Sequence, residues 1–473
     1  MTGERVEEGH VAGERGAPYR EWLTARTTAV VGLARSGVAA ARLIRRLGGR
    51  VLASDSGARE ALSAEARDLE HLGCALFTGG HPDAAFAGAA LVVVSPGVPL
   101  ELPALEAARA RGVPLIGELE LGWRVMEADL IAITGTNGKT TTTALTGELV
   151  GGTVRPLLVG GNIGTPLCAH ALDFPADGLV VAEASSFQLE TTEFLRPRVA
   201  AVLNVTPDHL DRHKTFERYV LAKARIFANQ TDGDCAVLNA DDPVAAALAP
   251  RTRARVLWFS RLTPLEPGVF VRDGWVVAKL NGNVEEICPL GEIPLRGQHN
   301  VENVLAATAC ALWTGLSPES IRRGVGAFRS VAHRIERVLD ERGVAYYNDS
   351  KGTNVVSTIK ALESFAEPVI LIAGGKGKGQ DFAPLAAAAR GRVKQAVLIG
   401  ADRGQIRAAL EAAGVPCADA AAMHEAVALA RSLARGGDVV LLSPACASFD
   451  MFDNFEHRGE AFKTAVHELA GPR

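Results

Sequence analysis

At 473 residues the chain is long enough for two to four domains of roughly 100–200 residues each. Its 48% hydrophobic and 22% charged residues are those of a globular protein, and a formal net charge of −4 argues against nucleic acid as a partner. The seven cysteines are scattered, odd in number and lack a C-x-x-C pair, which argues against a disulfide framework or zinc site and suits a reducing cytoplasm.

The chain begins with a polar stretch, residues 1–26, rich in Glu, Arg and Gly and without the apolar core of a secretory signal. It reads as a disordered extension. The first ordered run is Thr28-Ala29-Val30-Val31, followed by Gly32-Leu33-Ala34-Arg35-Ser36-Gly37 and a helix rich in Ala and Leu. A second run, Val51-Leu52-Ala53, ends at Ser54-Asp55. This βαβ unit resembles a dinucleotide fingerprint, although Ala34 stands at its middle glycine position. A third run, Leu91 to Val94, enters a Ser95-Pro96-Gly97 turn, at the strand end where open α/β sheets bind ligands.

A second domain opens on Ile131-Ala132-Ile133-Thr134-Gly135-Thr136-Asn137-Gly138-Lys139-Thr140-Thr141. An apolar strand breaks into glycines, and a Lys-Thr pair starts a helix. That is the context of a phosphate-binding loop, with Lys139 reaching terminal phosphates and Thr140 reaching Mg²⁺. Ile133 stands where the general pattern has its first glycine. Glu183 follows the strand Leu179 to Ala182, placed either as a Mg²⁺ ligand or as a cap of the next helix. His209 and His213, four apart, could share a helix face, but Leu210 stands where a zinc protease has glutamate. Lys223 lies in a helical segment, Tyr219 to Phe227, and by itself reads as a surface lysine. Short antiparallel strands are expected from about Val256 to Leu295, and Gln298-His299-Asn300 opens an alanine-rich helix.

A third domain starts near His333-Arg334. Lys351 and Lys378 lie in glycine-flanked loops after strands, where lysines suit anionic ligands. No stretch approaches the ~18 apolar residues of a membrane-spanning helix, so no membrane insertion is expected.

With these pieces in order the chain resembles the Mur ligases, ATP-dependent amide-forming enzymes of peptidoglycan precursor synthesis. Thr134 to Thr140 looks like the phosphate loop that family shares with folylpolyglutamate synthases, which also lacks the first glycine. The more selective motifs are Gly161-Asn162-Ile163-Gly164, Glu183 to Glu190 (E-A-S-S-F-Q-L-E), Asp208-His209, Gln298-His299-Asn300, Asn348 to Asn354 and Ser443 to Asp450 (S-P-A-C-A-S-F-D). Together they resemble the D-glutamate-adding branch, from about Thr28 to the C-terminus.

The resemblance implies an α/β protein of three domains. These are a Rossmann-like UDP-binding domain (27–118), a central P-loop ATPase-like domain with a mixed sheet (119–330) and a Rossmann-like amino-acid-binding domain (331–473), joined by linkers near 119 and 330. It implies ATP and two Mg²⁺ ions (Mn²⁺ as the substitute), with UDP-N-acetylmuramoyl-L-alanine and D-glutamate as substrates of a cytoplasmic, monomeric enzyme. Gly135, Thr136, Asn137, Gly138, Lys139, Thr140 and Thr141 would hold ATP, with Asn300, Asn303, Arg334, Asp349 and Lys351. Arg35, Ser36, Asp55, Ser56 and Gly97 fall where the family holds UDP, Arg35 replacing an apolar residue. Asn162 and His209 fall near the substrate's sugar–peptide region. Thr140 and Glu183 match ligands of one metal, and His209 and Lys223 those of the second, with Lys223 carbamylated. Lys139, Glu183, His209 and Lys223 are thus the implied catalytic set. Thr353, Lys378, Ser448 and Phe455 match the D-glutamate site. The E-A-S-S-F-Q-L-E and S-P-A-C-A-S-F-D motifs argue against a folylpolyglutamate-type ligase. Ala34 and the phosphate loop argue against a dinucleotide-dependent oxidoreductase.

Overall fold

The computed structural model describes residues 13–329, 331–377 and 379–470. The chain falls into two compact units, one running to Glu292 and taking in Glu302–Gly326, the other made of Ile293–Val301 and the chain from Ala327.

The first unit holds two sheets. In the first, β1 (Thr27–Val31), β2 (Arg50–Ser54), β3 (Ala75–Phe77), β4 (Ala89–Val94) and β5 (Leu115–Gly117) pair in parallel in the order 3-2-1-4-5. Nearly continuous burial of β1 and β4 reflects cover on both faces, as a parallel sheet requires. The order reverses between β1 and β4, so a crevice opens at their carboxyl ends.

The second sheet has nine strands. Its parallel core is β6 (Asp129–Thr134), β7 (Leu157–Gly161), β8 (Leu179–Glu183), β9 (Val199–Val202), β10 (Cys235–Asn239) and β11 (Arg255–Ser260). The central strand β6 lies between β8 and β9, which puts the phosphate loop at a switch point. β12 (Gly268–Arg272), β13 (Trp275–Leu280) and β14 (Asn283–Pro289) extend one edge as hairpins with two-residue turns. The expected antiparallel run from Val256 therefore holds only from β12 onward, because β11 pairs in parallel with β10 and β12.

The second unit carries β15 (Glu336–Glu341), β16 (Val344–Asn348), β17 (Val369–Gly374), β18 (Val393–Ile399), β19 (Cys417–Asp419) and β20 (Val439–Leu442) in the order 15-16-20-17-18-19. Only β15 is antiparallel. Apolar clusters fill both faces, one around Leu371 and Leu398, the other around Ile370, Val440 and Phe462.

Two expectations are corrected. Residues 13–26 are not disordered, since Ala17–Thr24 forms a helix with Pro18 in its first turn. Tyr19 and Leu23, one turn apart on a single face, are fully buried, each worth about 1.5–3 kcal/mol over exposure. Residues 1–12 lie outside the described residues. Near residue 119 there is no linker but a helix, Glu118–Val125, buried along its whole length. Its two glutamates are matched by backbone donors. Glu118 Oε1 accepts Cys168 N at 2.7 Å, and the Glu120 carboxylate accepts the amides of Glu193, Phe194 and Leu195 at 2.9–3.2 Å. Burial pushes Glu118 up to about 7 despite that bond. No helix among the described residues is long and apolar enough to cross a membrane.

Candidate active site

The glycine loop 135–138 joins β6 to the helix Lys139–Gly151. Gly138 caps that helix in the left-handed region, φ 84°. A side chain there would also drive into the Asn303 carboxamide. Asn303 Oδ1 in turn accepts the Thr142 hydroxyl at 3.2 Å, which brings Asn303 to the loop. Two lysines close on the loop carbonyls. Lys139 Nζ donates to Gly135 O and Thr136 O, both at 2.9 Å, and Lys223 Nζ donates to Gly135 O at 2.7 Å.

Lys223 is therefore not the surface lysine that its own helix suggests. It lies on Phe216–Ala224 and is 1% exposed, its amine 4.6 Å from the centre of the Tyr219 ring. Burial first, and then the nearby Lys139 amine, hold it well below its ordinary 10.5. The Tyr219 hydroxyl meets Thr136 Oγ1 at 3.1 Å.

Glu183 ends β8 in register with Ile133, beside the root of the loop. It does not cap the next helix, whose cap is the Ser185 hydroxyl in a reciprocal box with Gln188. Asn162 Nδ2 donates to Glu183 Oε1 at 2.7 Å. Glu183 Oε2 is buried and has no hydrogen-bond partner among the described residues. A buried carboxylate oxygen left in that state is costly unless something positive meets it.

His209 and His213 do not share a helix. His209 precedes Leu210–His213 with φ 52°, and only His213 lies within it. Both rings nevertheless pack on Phe187, at 5.0 and 5.4 Å between centroids. His209 is half exposed, with Nε2 3.6 Å from Asp208 Oδ2. His213 is buried against Ser186 Oγ at 3.0 Å, and burial takes it down to about 4. Its Nδ1 lies 3.1 Å from Glu190 Oε1 but out of line for a hydrogen bond.

Sequence reasoning missed Asn204 and the roles of Tyr219 and Phe187. Asn204 Oδ1 accepts Asn137 N at 2.8 Å and its amide returns to Asn137 O at 3.1 Å, holding the loop from β9's far end. The only signal in the chain is its place just after an apolar strand.

Beside the carboxyl ends of β1 and β2 and along the helix that follows β1 lies a cleft of about 920 Å³. One wall is the helix Arg35–Arg46, with Arg35 and Asp55 at its mouth, and the other is Thr165 to Ala169 of the central sheet's surroundings. Arg35 reaches Gly164 O across it, and Arg46 pairs with both oxygens of Asp173 at 2.9 Å. Asp55 accepts Leu33 N at 2.7 Å and Gly57 N at 2.8 Å. Ser36, Ser56 and Gly97 stand outside the cleft lining, the last two exposed.

In the second unit, loops 349–354, 375–377 and 443–448 meet at the carboxyl ends of β16, β17 and β20. They are tied by Ala445 N to Gly352 O at 2.9 Å and by Lys376 N to Ala447 O at 2.9 Å. Asp349 faces inward, accepting Ser443 Oγ at 2.7 Å and Ile335 N at 3.3 Å, and burial raises it to about 6. Lys351 Nζ lies 5.6 Å from the Phe455 ring centre. Fully buried Arg458 bonds Ser350 and Cys446 O from beneath. Thr353 and buried Ser448 belong to these loops, Arg334 precedes β15, and Asn300 donates to Arg296 O at 2.6 Å. Lys378 lies outside the described residues.

Family models described as the MurD-like N-terminal domain, the Mur ligase middle domain and the Mur ligase glutamate ligase domain match residues 26–117, 133–311 and 333–446. The UDP-N-acetylmuramoylalanine–D-glutamate ligase of Pelotomaculum thermopropionicum is 48% identical over 450 residues, covering 94% of this chain and 98% of its own. The enzyme of the same name from Acidobacterium capsulatum is 49% identical over 446 residues, covering 94% and 96%. Among solved structures, the UDP-N-acetylmuramate–alanine ligase MurC of Thermotoga maritima covers 94% of this chain and 99% of its own. Its TM-score is 0.60 at 19% identity, a likeness of fold.

Proposed function

The chain belongs to the Mur ligase family, and we propose that it is an ATP-dependent ligase joining D-glutamate to UDP-N-acetylmuramoyl-L-alanine in peptidoglycan precursor synthesis. The observation that carries this reading is one constellation in the first unit. A phosphate loop is gripped by Lys139 and buried Lys223, beside a buried Glu183 oxygen that has no partner among the described residues. Near-full-length identity to ligases of that name supports the choice of amino acid.

A carboxylate does not condense with an amine in water, so ATP first phosphorylates the L-alanyl carboxylate and leaves as ADP. The amine of D-glutamate attacks the acyl phosphate, giving a tetrahedral intermediate that collapses to the amide and expels phosphate. Phosphoryl transfer asks mainly for positioning and charge neutralisation. Lys139 sits at the loop mouth as the point charge for terminal phosphates, and Thr140 opens the helix whose N-terminus favours anions. Mg²⁺, when bound, neutralises phosphate charge; the unbonded Glu183 oxygen and the Thr140 hydroxyl are the groups that suit it. Burial holds Lys223 well below its ordinary 10.5 and so favours the neutral amine, the form that attacks CO₂, releasing a proton and leaving a carbamate. That anion and His209 are assigned to a second cation.

Arg35 and Asp55, with Ser36, Ser56 and Gly97 around them, are assigned to the UDP end, and Asn162 and His209 to the sugar–peptide region. Asn300, Asn303, Arg334, Asp349 and Lys351 are assigned to the nucleotide. Thr353, Ser448 and Phe455 are assigned to D-glutamate. We take the domain limits as 27–118, 119–330 and 331–473, and the enzyme as a cytoplasmic monomer, the compartment of ATP and UDP-linked precursors.

The test is phosphate release from ATP with UDP-N-acetylmuramoyl-L-alanine, comparing D-glutamate, L-glutamate and no amino acid. Release that depends on D-glutamate, with the coupled product seen by mass spectrometry, is expected. Equal release with both isomers, or none with either, refutes the assignment.

A further inference from the structure

Residues 13–24 lie ahead of residue 26, where the match to the N-terminal-domain model begins, and the chemistry above gives them no part. They are nonetheless held at three places. The first is the carboxyl end of the Glu118–Val125 helix, whose last carbonyls have no partner within the helix. Arg15 Nε donates to Trp123 O at 3.2 Å, Gly16 N to Arg124 O at 2.8 Å and Arg20 Nε to Val125 O at 2.9 Å. Arg15 also reaches Ala128 O at 2.9 Å and stacks 4.2 Å from the Trp123 ring centre. Guanidinium charge at a helix C-terminus is favourable as well. The segment is a C-cap supplied from elsewhere in the chain.

The second hold is Arg124, fully buried, whose guanidinium lies 3.9 Å from the Tyr19 ring centre and 5.1 Å from that of Phe194, while its Nε donates to Glu14 O at 3.2 Å. Phe194 belongs to the loop that Glu120 ties to the same helix. The third is the turn before β2, where the Thr24 hydroxyl donates to Leu47 O at 2.9 Å. That turn follows directly on the Arg35–Arg46 helix, one wall of the 920 Å³ cleft. The Glu118–Val125 helix packs on that wall and, through the Glu118–Cys168 bond, on the opposite one.

We infer that residues 13–24 form a strap that caps the Glu118–Val125 helix from outside and fixes the spacing of the cleft walls, so that the nucleotide end of the substrate meets a preformed site. The inference rests on the assignment of that cleft to UDP. A cleft already in its binding shape binds without the free-energy cost of ordering its walls. The strap is a positioning element and touches no reacting atom.

The experiment compares the full chain with an Arg15→Ala/Arg20→Ala variant and a deletion of residues 1–24. It measures Kd for UDP, KM for UDP-N-acetylmuramoyl-L-alanine and for ATP, kcat, and hydrogen exchange over residues 118–128. We expect Kd for UDP and the UDP-substrate KM to rise about tenfold, with kcat and the ATP KM within about twofold. Exchange over 118–128 should quicken. If the deletion does not fold, the double variant decides. Unchanged UDP affinity in a folded variant overturns the inference, as does a fall in kcat with every affinity intact, which marks only a smaller folded fraction. Failure of the full chain itself to bind UDP would instead strike the assignment of the cleft.

Discussion

Two strand-to-helix turns of the first unit share an outline and differ in what holds them. At β1 the chain passes Gly32 to Gly37, and at β6 it passes Gly135 to Lys139. The first is gripped by groups that accept from amides or bond one carbonyl: Asp55 takes Leu33 N, and the Ser95 hydroxyl donates to Gly32 O at 2.7 Å. The second is gripped by amines, with Lys139 and Lys223 both on Gly135 O. A carboxylate on the amide side occupies the donor an anion would want. The Lys139 amine on the carbonyl side leaves positive charge at the loop. The charge of the partner, more than the spacing of the glycines, separates the two turns: an acid holds the one assigned to UDP, and amines hold the one assigned to the phosphates of ATP.

The largest break of this contrast is Lys139→Ala. Removing the amine from the second turn should cut ATP turnover by at least about 10³-fold, with little change in thermal stability. Phosphate release near the wild-type rate would remove the catalytic claim on that turn. Next is Lys223→Ala, for which we expect a loss of about 10²–10³-fold, partly restored by short carboxylates that replace the carbamate. Full activity without rescue would leave Lys223 as a mere prop of Gly135. Its depressed pKa also predicts a sign. Between the folded value and about 10.5 the unfolded chain holds a proton that the folded chain lacks, so stability falls as pH is lowered through that window. In CO₂-free buffer Lys223→Met should flatten that part of the denaturation profile, and an unchanged slope would contradict the burial argument.

Gly37→Ala addresses the first turn. A Cβ at Gly37 would lie well inside contact distance of Gly32 O, a backbone atom with little room to yield. We expect about 3 kcal/mol of destabilisation by overpacking, read by denaturant unfolding. A cost below about 1 kcal/mol would show that the helix can back away from β1.

The same contrast marks what could be read from the chain. Glycine runs after apolar strands located both turns, and Lys139 and Thr140 mark where the second opens a helix, because local spacing sets a local structure. Burial of Lys223 was not legible. Tyr219-Val220-Leu221-Ala222-Lys223 carries apolar residues on every side, and packing alone decides which face turns inward. The helix Ala17–Thr24 escaped notice because its two anchors, Tyr19 and Leu23, are diluted by charged neighbours and meet a surface made some hundred residues later. Asn204 is a long-range partner whose only local mark is a strand end. Glu118 and Glu120 fall where the sequence suggests a linker, and the donors that permit their burial come from loops 50 and 73–75 residues away.

The smallest expected effect is also the sharpest test of the first turn. Both carboxylate oxygens of Asp55 are taken by backbone amides, so its role there is to hold the loop 32–37 against the end of β2. Asp55→Asn keeps the shape and one acceptor but turns an NH₂ group toward either Leu33 N or Gly57 N. One buried donor then loses its partner, at about 1–2 kcal/mol of stability. Because Asp55 lines the cleft assigned to UDP, affinity should weaken by less than about tenfold if its part in binding is to shape the turn, and by more if it also meets the ligand. Titration of UDP into the variant separates the two cases. A loss well beyond tenfold with stability intact would mean that the carboxylate meets the ligand directly, and the first turn would then bind through its acid as the second does through its amines.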